Sequence, residues 1–183
     1  MTRADAWTLL NEYTKNPSLI KHMLAVEAAM RAYARKFGEN EETWGTIGLL
    51  HDFDYEKWPS RDDHPFRGAE ILRIKGVAED WIQTILSHAD YSGVPRTSQR
   101  DKTLFAVDEL CGFLTACAYV RPDRKIATVE VESVKKKLKQ KSFAAQVSRD
   151  DIIKGAEELS VPMDEHIAFV RDAMAEIAND LGL

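Results

Sequence analysis

Apolar residues along this chain recur at helical spacing almost from end to end. From Leu19 the stripe runs Leu19, Met23, Val26, Met30, Tyr33, Phe37, steps of four and three that place one face of a helix against a core. Asn16-Pro17 supplies a cap and a first-turn proline, and Gly38 supplies the stop. Asn40-Glu41-Glu42 then opens a short apolar helix through Trp44 to Leu50 that delivers the adjacent pair His51-Asp52. Asp54 to Asp63 predicts a loop, because Pro59, Ser60 and paired aspartates break any period.

The pattern resumes with a helix opened by His64-Pro65, carrying Phe66, Ala69, Ile71 and Leu72 and ending at Gly76. A further helix carries Trp81, Ile82, Ile85 and Leu86 to His88, and Tyr91 to Pro95 predicts a turn. Leu104 to Tyr119 is apolar nearly all round, as a helix at the centre of a bundle would be. Ala127 to Leu183 predicts three more helices, one of them opened by Ser148 and Asp151 and the last striped by Met163, Ile167, Val170, Met174, Ile177 and Leu181. No alternating strand pattern, repeat or low-complexity linker interrupts this, so the expected fold is all-α, a single compact bundle.

Composition narrows the classes. At 183 residues, 44% hydrophobic and 30% charged, the chain suits one soluble domain able to bury a shielded site. A net charge of -5 disfavours a stable nucleic-acid partner or an anionic membrane surface. The longest apolar run, Leu110 to Val120, falls short of the roughly 18–20 residues that span a bilayer. The first residues show no signal-peptide pattern. Cys111 and Cys117 lie six apart on one helix, point to different sides and are expected to stay free, which suits a reducing cytoplasm.

The candidate chemistry lies in the polar residues that break the apolar runs. His22, His51, Asp52, His64, His88 and Asp108 each sit in or beside such a run, where an unpaired polar group is costly unless a cation compensates it. Neutral imidazoles with carboxylates form the donor set of Fe, Mn, Zn and similar divalent ions. Adjacent helical residues point about 100° apart, so His51 and Asp52 can both reach one ion, or Asp52 can bridge two. A lone histidine on the edge of an apolar helix is ordinarily a hydrogen-bonded core residue. That reading holds for His166, which stands outside the series, whereas the ordered company of the others argues for ligands.

This order, an isolated histidine, an HD doublet, two intervening histidines and a later aspartate on a buried helix, resembles the HD superfamily of metal-dependent phosphohydrolases. The resemblance covers residues 18–120, with 127–183 as a helical C-terminal extension packed on the same domain. It implies that His22, His51, Asp52 and Asp108 hold one metal ion and that His64 and His88, with Asp52 bridging, hold a second. The implied reaction is cleavage of a small phosphate ester or nucleotide, with Asp52, His64 and His88 at the reacting centre. The metals implied are two divalent ions, drawn from Fe, Mn, Mg, Ni, Co or Zn. Where many members read His-Asp-Ile-Gly, this chain reads His51-Asp52-Phe53-Asp54.

Tyr55, Lys57, Trp58 and Arg61 follow the doublet, and Tyr91 and Arg96 follow His88, a rim of aromatics and cations suited to substrate. Of these, Lys57 and Arg96 are the expected phosphate-orienting cations and Tyr55 an expected contact. Glu109 is open between a supporting role beside Asp108 and an exposed acid. The run Lys135 to Lys141 fits a solvated helix face better than a phosphate site. Two rivals share the ligand set: a mixed-valent di-iron oxygenase of the myo-inositol oxygenase kind, acting on an alcohol or phosphonate, and a non-catalytic metal-binding signalling module. Oligomeric state is left open.

Overall fold

The computed structural model describes all 183 residues as ten α-helices and two short 3-10 turns, with no strand. The helices are α1 (Arg3–Tyr13), α2 (Pro17–Phe37), α3 (Glu41–Leu50), α4 (Phe66–Ile74), α5 (Glu79–Ser87), α6 (Gln99–Tyr119), α7 (Val131–Leu138), α8 (Arg149–Leu159), α9 (Met163–Glu176) and α10 (Ala178–Leu181). None is long and apolar enough to cross a membrane.

Local chemistry sets the ends. The Asn16 side chain accepts the Ser18 N–H at the start of α2, and Asn40 does the same for Thr43 at the start of α3. A reciprocal capping box, Ser98 with Asp101, starts α6 five residues before the expected Leu104. The same device, Thr2 with Asp5, starts α1, a helix that the apolar stripes beginning at Leu19 leave out. His64-Pro65 does not open α4. The helix begins at Phe66, and His64 lies in the turns that precede it. The last segment forms α7, α8 and α9 as expected, plus the single turn α10.

α6 is the axis. It packs against α2, α5, α8 and α9, and α3 lies across α2. One continuous cluster of 39 buried apolar residues runs from Ala6 on α1 to Leu181 on α10, so the helices after α6 share a core with those before it. Each large side chain taken wholly out of water there contributes roughly 1.5–3 kcal/mol. Phe53 is one of them: it is fully buried, meets Tyr13 edge-on at 5.5 Å, and its carbonyl accepts the Thr14 hydroxyl at 2.9 Å. That anchor holds the turn after the doublet against α1. Cys111 and Cys117 are free and buried.

Candidate metal centre

Five elements converge on one point. His22 comes from the second turn of α2, His51 from the C-terminal end of α3 and Asp52 from the turn after it. His64 comes from the turn before α4, His88 from the C-terminal end of α5, and Asp108 from the middle of α6. The ligand atoms fall into two triads, His22–His51–Asp108 and Asp52–His64–His88, each within 4.8 Å of one another. In the first, Asp108 Oδ1 lies 3.0 Å from His22 Nε2 and 3.3 Å from His51 Nε2. In the second, Asp52 Oδ1 lies 3.2 Å from His64 Nε2 and 3.3 Å from His88 Nε2. Asp52 joins the two, because its other oxygen, Oδ2, lies 3.6 Å from His51 Nε2.

The imidazoles are oriented from behind. His51 Nδ1 donates to the Gly48 carbonyl at 2.8 Å, His88 Nδ1 to the Ile85 carbonyl, and His64 Nδ1 to Asp54 Oδ1 at 2.8 Å. A carbonyl or carboxylate only accepts, so in each of these three rings Nδ1 carries a proton and Nε2 faces the centre. His51 Nε2 and Asp52 Oδ1 are buried and make no hydrogen bond of acceptable geometry. Unsatisfied atoms of that kind are expensive, and a divalent cation satisfies them. The donor set, four imidazoles and two carboxylates, fits such ions.

Charge has been gathered as tightly as geometry. Burial alone lowers the pKa of His51, but the Asp52 and Asp108 carboxylates override it and carry the ring up to about 9. Burial likewise works against a charged His64, and Asp52 and Asp54 raise it to about 10. Burial raises the two central carboxylates, yet His51 and its neighbours hold both Asp52 and Asp108 well below the ordinary range. The cluster thus shares protons among anions and imidazoles, and metal uptake would displace those protons.

A cavity of about 810 Å³ opens over the centre. It is lined by five of the six candidate ligands, His51 being fully buried beneath them. Tyr55 is on its wall, with its ring edge-on to His64 at 5.2 Å. Lys57 and Arg96 are not, and here the structure corrects the sequence reading. Arg96 donates to both oxygens of Glu158 at 2.7 and 2.9 Å, to the Ser87 carbonyl at 2.8 Å and to Asp90 at 2.7 Å, and it lies 3.6 Å from the Phe105 ring centroid. Its guanidinium is spent as a strut between α5 and α8. Lys57 rests on the rings of Tyr13 and Trp58. The cation in the cavity is Arg61, which makes no ion pair and lies 5.2 Å from the Tyr91 ring. Glu109 also lines the cavity, where burial and then Asp108 raise its pKa to about 7. Asp54, whose position in the sequence read as loop, is the orienting partner of His64.

His166 is a core residue. It is fully buried, its Nε2 donates to the Ala106 carbonyl at 2.9 Å, and its Nδ1 accepts the Tyr33 hydroxyl at 2.6 Å.

Comparison with known proteins agrees with this geometry. The family model for the HD domain matches residues 19–112, just over half of the chain. The chain belongs to the HD domain family. Metal-dependent hydrolases make up most of that family, and divalent metals are its characteristic ligands. His22, the His51-Asp52 doublet, His64, His88 and Asp108 all fall inside the matched residues of this HD domain. No curated protein and no solved structure gives a significant match.

Proposed function

We propose that this HD-domain protein is a phosphohydrolase that cleaves a small phosphate ester or nucleotide at a dinuclear metal centre. The observation that carries the reading is Asp52, whose two oxygens are turned toward different triads, as a bridging carboxylate requires. His22, His51 and Asp108 with Asp52 would hold one ion, and His64 and His88 with Asp52 the other. Bound divalent ions supply Lewis acidity that activates water and neutralises charge on a phosphoryl group. Gly48, Ile85 and Asp54 fix the imidazoles in the ligating tautomer, which removes the cost of reorienting them at the moment of reaction. Arg61 replaces Arg96 and Lys57 as the cation that draws the phosphate monoanion or dianion in and orients it. Tyr55 and Tyr91 flank that end of the cavity and limit water around the ester.

The test is turnover of a panel of nucleotides, sugar phosphates and simple phosphomonoesters by protein stripped of metal and reloaded singly with Mn²⁺, Mg²⁺, Fe²⁺, Co²⁺, Ni²⁺ and Zn²⁺. Phosphate release under argon supports the reading, and no release with any ion overturns it. The same four-imidazole, carboxylate-bridged arrangement also suits a di-iron oxygenase. Product formed from an alcohol or phosphonate only with iron and only in air would favour that chemistry.

A further inference from the structure

The matched HD segment ends at Gly112, but the wall of the cavity does not. The loop before α8 and the first turn of α8 place Gln146, Ser148 and Asp151 on it. Glu109, next to Asp108 on α6, completes this side and accepts the Ser148 backbone N–H at 3.1 Å. The extension is thereby joined to the helix that carries a candidate ligand.

The wall is firmly seated. Arg149 donates to the carbonyls of Phe143, Ala144 and Val147 and lies 4.9 Å from the Phe113 ring centroid, which fastens the loop that presents Gln146. Behind it, α8 meets α6 so closely that a Cβ on Gly155 would fall 2.6 Å from Ala106 Cα. The backbone that carries these side chains is therefore fixed, and the wall stays in place when a ligand enters.

Its chemistry is weighted toward acceptor oxygens, with the Gln146 amide NH2 and the Ser148 hydroxyl, whose oxygen also caps the Asp151 N–H, as the donors among them. Glu109 and Asp151 make no ion pair, and Gln146 and Ser148 add further acceptor oxygens. Asp90, also on the cavity, is already paired with Arg96 at 2.7 Å and Lys154 at 2.6 Å. Arg61 stands beside Tyr91, three residues past His88, whereas Glu109 adjoins Asp108, which contacts His22 and His51. A cavity of about 810 Å³ is of the size that encloses a drug-sized ligand, so a phosphoryl group leaves most of it to the rest of the substrate. Acceptors that lose water to an apolar group pay a desolvation cost, and those that meet a donor do not.

We propose that Glu109, Gln146, Ser148 and Asp151 form the specificity wall for the part of the substrate that is not phosphoryl, and that this part carries hydrogen-bond donors, either hydroxyls or an ammonium group. The inference rests on the phosphohydrolase reading only in treating that part as the leaving group. The probes are three phosphonates of equal chain length that resist ester hydrolysis: propylphosphonate, 2,3-dihydroxypropylphosphonate and 3-aminopropylphosphonate. Each is titrated calorimetrically, under argon, into the full-length metal-loaded protein. At least one donor-bearing probe binds about tenfold or more tighter than propylphosphonate, and which one does identifies the donor. In the Q146A/D151A variant, with metal content and thermal midpoint checked, that preference falls below about threefold. Should the double variant fail to fold, Gln146→Ala alone, on the loop, narrows the preference measurably. Equal affinities in the wild type, no binding of donor-bearing probes at millimolar concentration, or a preference that survives in the variants overturns the proposal. Hydrolysis of the matching phosphate esters is scored separately: a preference without hydrolysis leaves the wall standing and removes the phosphohydrolase reading, and hydrolysis without a preference does the reverse.

Discussion

Asp54 holds His64 from behind: its Oδ1 accepts the Nδ1 proton at 2.8 Å, while its Oδ2 accepts the Gly68 backbone N–H at 2.8 Å. The carboxylate is 1% exposed, and Gly68 leaves room for it, because a Cβ there would lie 2.9 Å from Asp54 Cγ and Oδ2. Phe53 pins the turn in the core and Asp54 aims the ligand, so the Phe-Asp that stands where many HD proteins have Ile-Gly has a defined job. Asp54→Ala is expected to weaken the second ion about 10–100-fold, the usual cost of losing a partner that orients a ligand. The first ion stays bound, since His22, His51 and Asp108 do not touch Asp54. Metal content against free metal concentration measures this. Unchanged binding of both ions in Asp54→Ala would remove the orienting role.

The two triads predict two classes of ligand mutant. His64→Ala and His88→Ala should lower the stoichiometry toward one ion per chain and leave the fold intact. His22→Ala and Asp108→Ala should empty the first site and lower the thermal midpoint at fixed metal, because a bound ion stabilises the folded state by mass action. Asp52→Ala should affect both sites. If His64→Ala and His88→Ala match wild type in metal content and midpoint, the centre holds a single ion and the di-iron alternative fails with the second site.

Much of this is legible in the sequence. The stripes of α2 and α9 and the apolar run inside α6 specify their helices, because one buried face repeats every three or four residues. The six candidate ligand positions stand out as polar residues breaking apolar runs. What periodicity could not supply was everything decided in three dimensions. α1 buries only Ala6, Leu9 and Leu10, too few to make a stripe, and its signal was the Thr2–Asp5 cap. Arg61 and Arg96 are equally cationic in sequence, and only packing shows that Glu158 and Asp90 neutralise one and leave the other free. Asp54 sat among loop acids, and its role depends on a residue ten positions away folding back over it. The contribution of Gln146 and Asp151 to the cavity needs α8 docked on α6.

That docking gives a paired prediction. Gly155→Ala drives a methyl to 2.6 Å from Ala106 Cα, a backbone atom that cannot swing aside, so α8 must shift. The expected cost is about 1–3 kcal/mol, the range for overpacked cores. Gly112→Ala, also mid-helix, meets nothing nearer than Val147 at 4.0 Å and should be neutral or stabilising by up to about 1 kcal/mol. Chemical denaturation of the two variants beside wild type tests the contrast. Equal stabilities would mean that α8 is not seated against α6 as described.

His166 provides a pH test outside the metal centre. Burial lowers its pKa below the ordinary 6.5, and the hydrogen bond it donates to Ala106 opposes that only in part. In the folded state Nδ1 accepts from Tyr33, so the ring is neutral with no room for a second proton. The unfolded chain, with an ordinary histidine, takes up a proton first as pH falls through about 6.5, and the folded state is then disfavoured by mass action. Stability conferred by His166 is therefore present above about pH 6.5 and declines below it, by at most about 1.4 kcal/mol per pH unit until the folded state also protonates. His166→Gln lacks this titration but retains every ligand, so both proteins share the metal centre's own pH dependence. The stability gap between them should narrow from about pH 7.5 to about pH 5, with metal content equal in the two. A gap that widens on acidification would show that His166 is charged in the folded protein, and a loss of metal in the variant would show that it belongs to the centre.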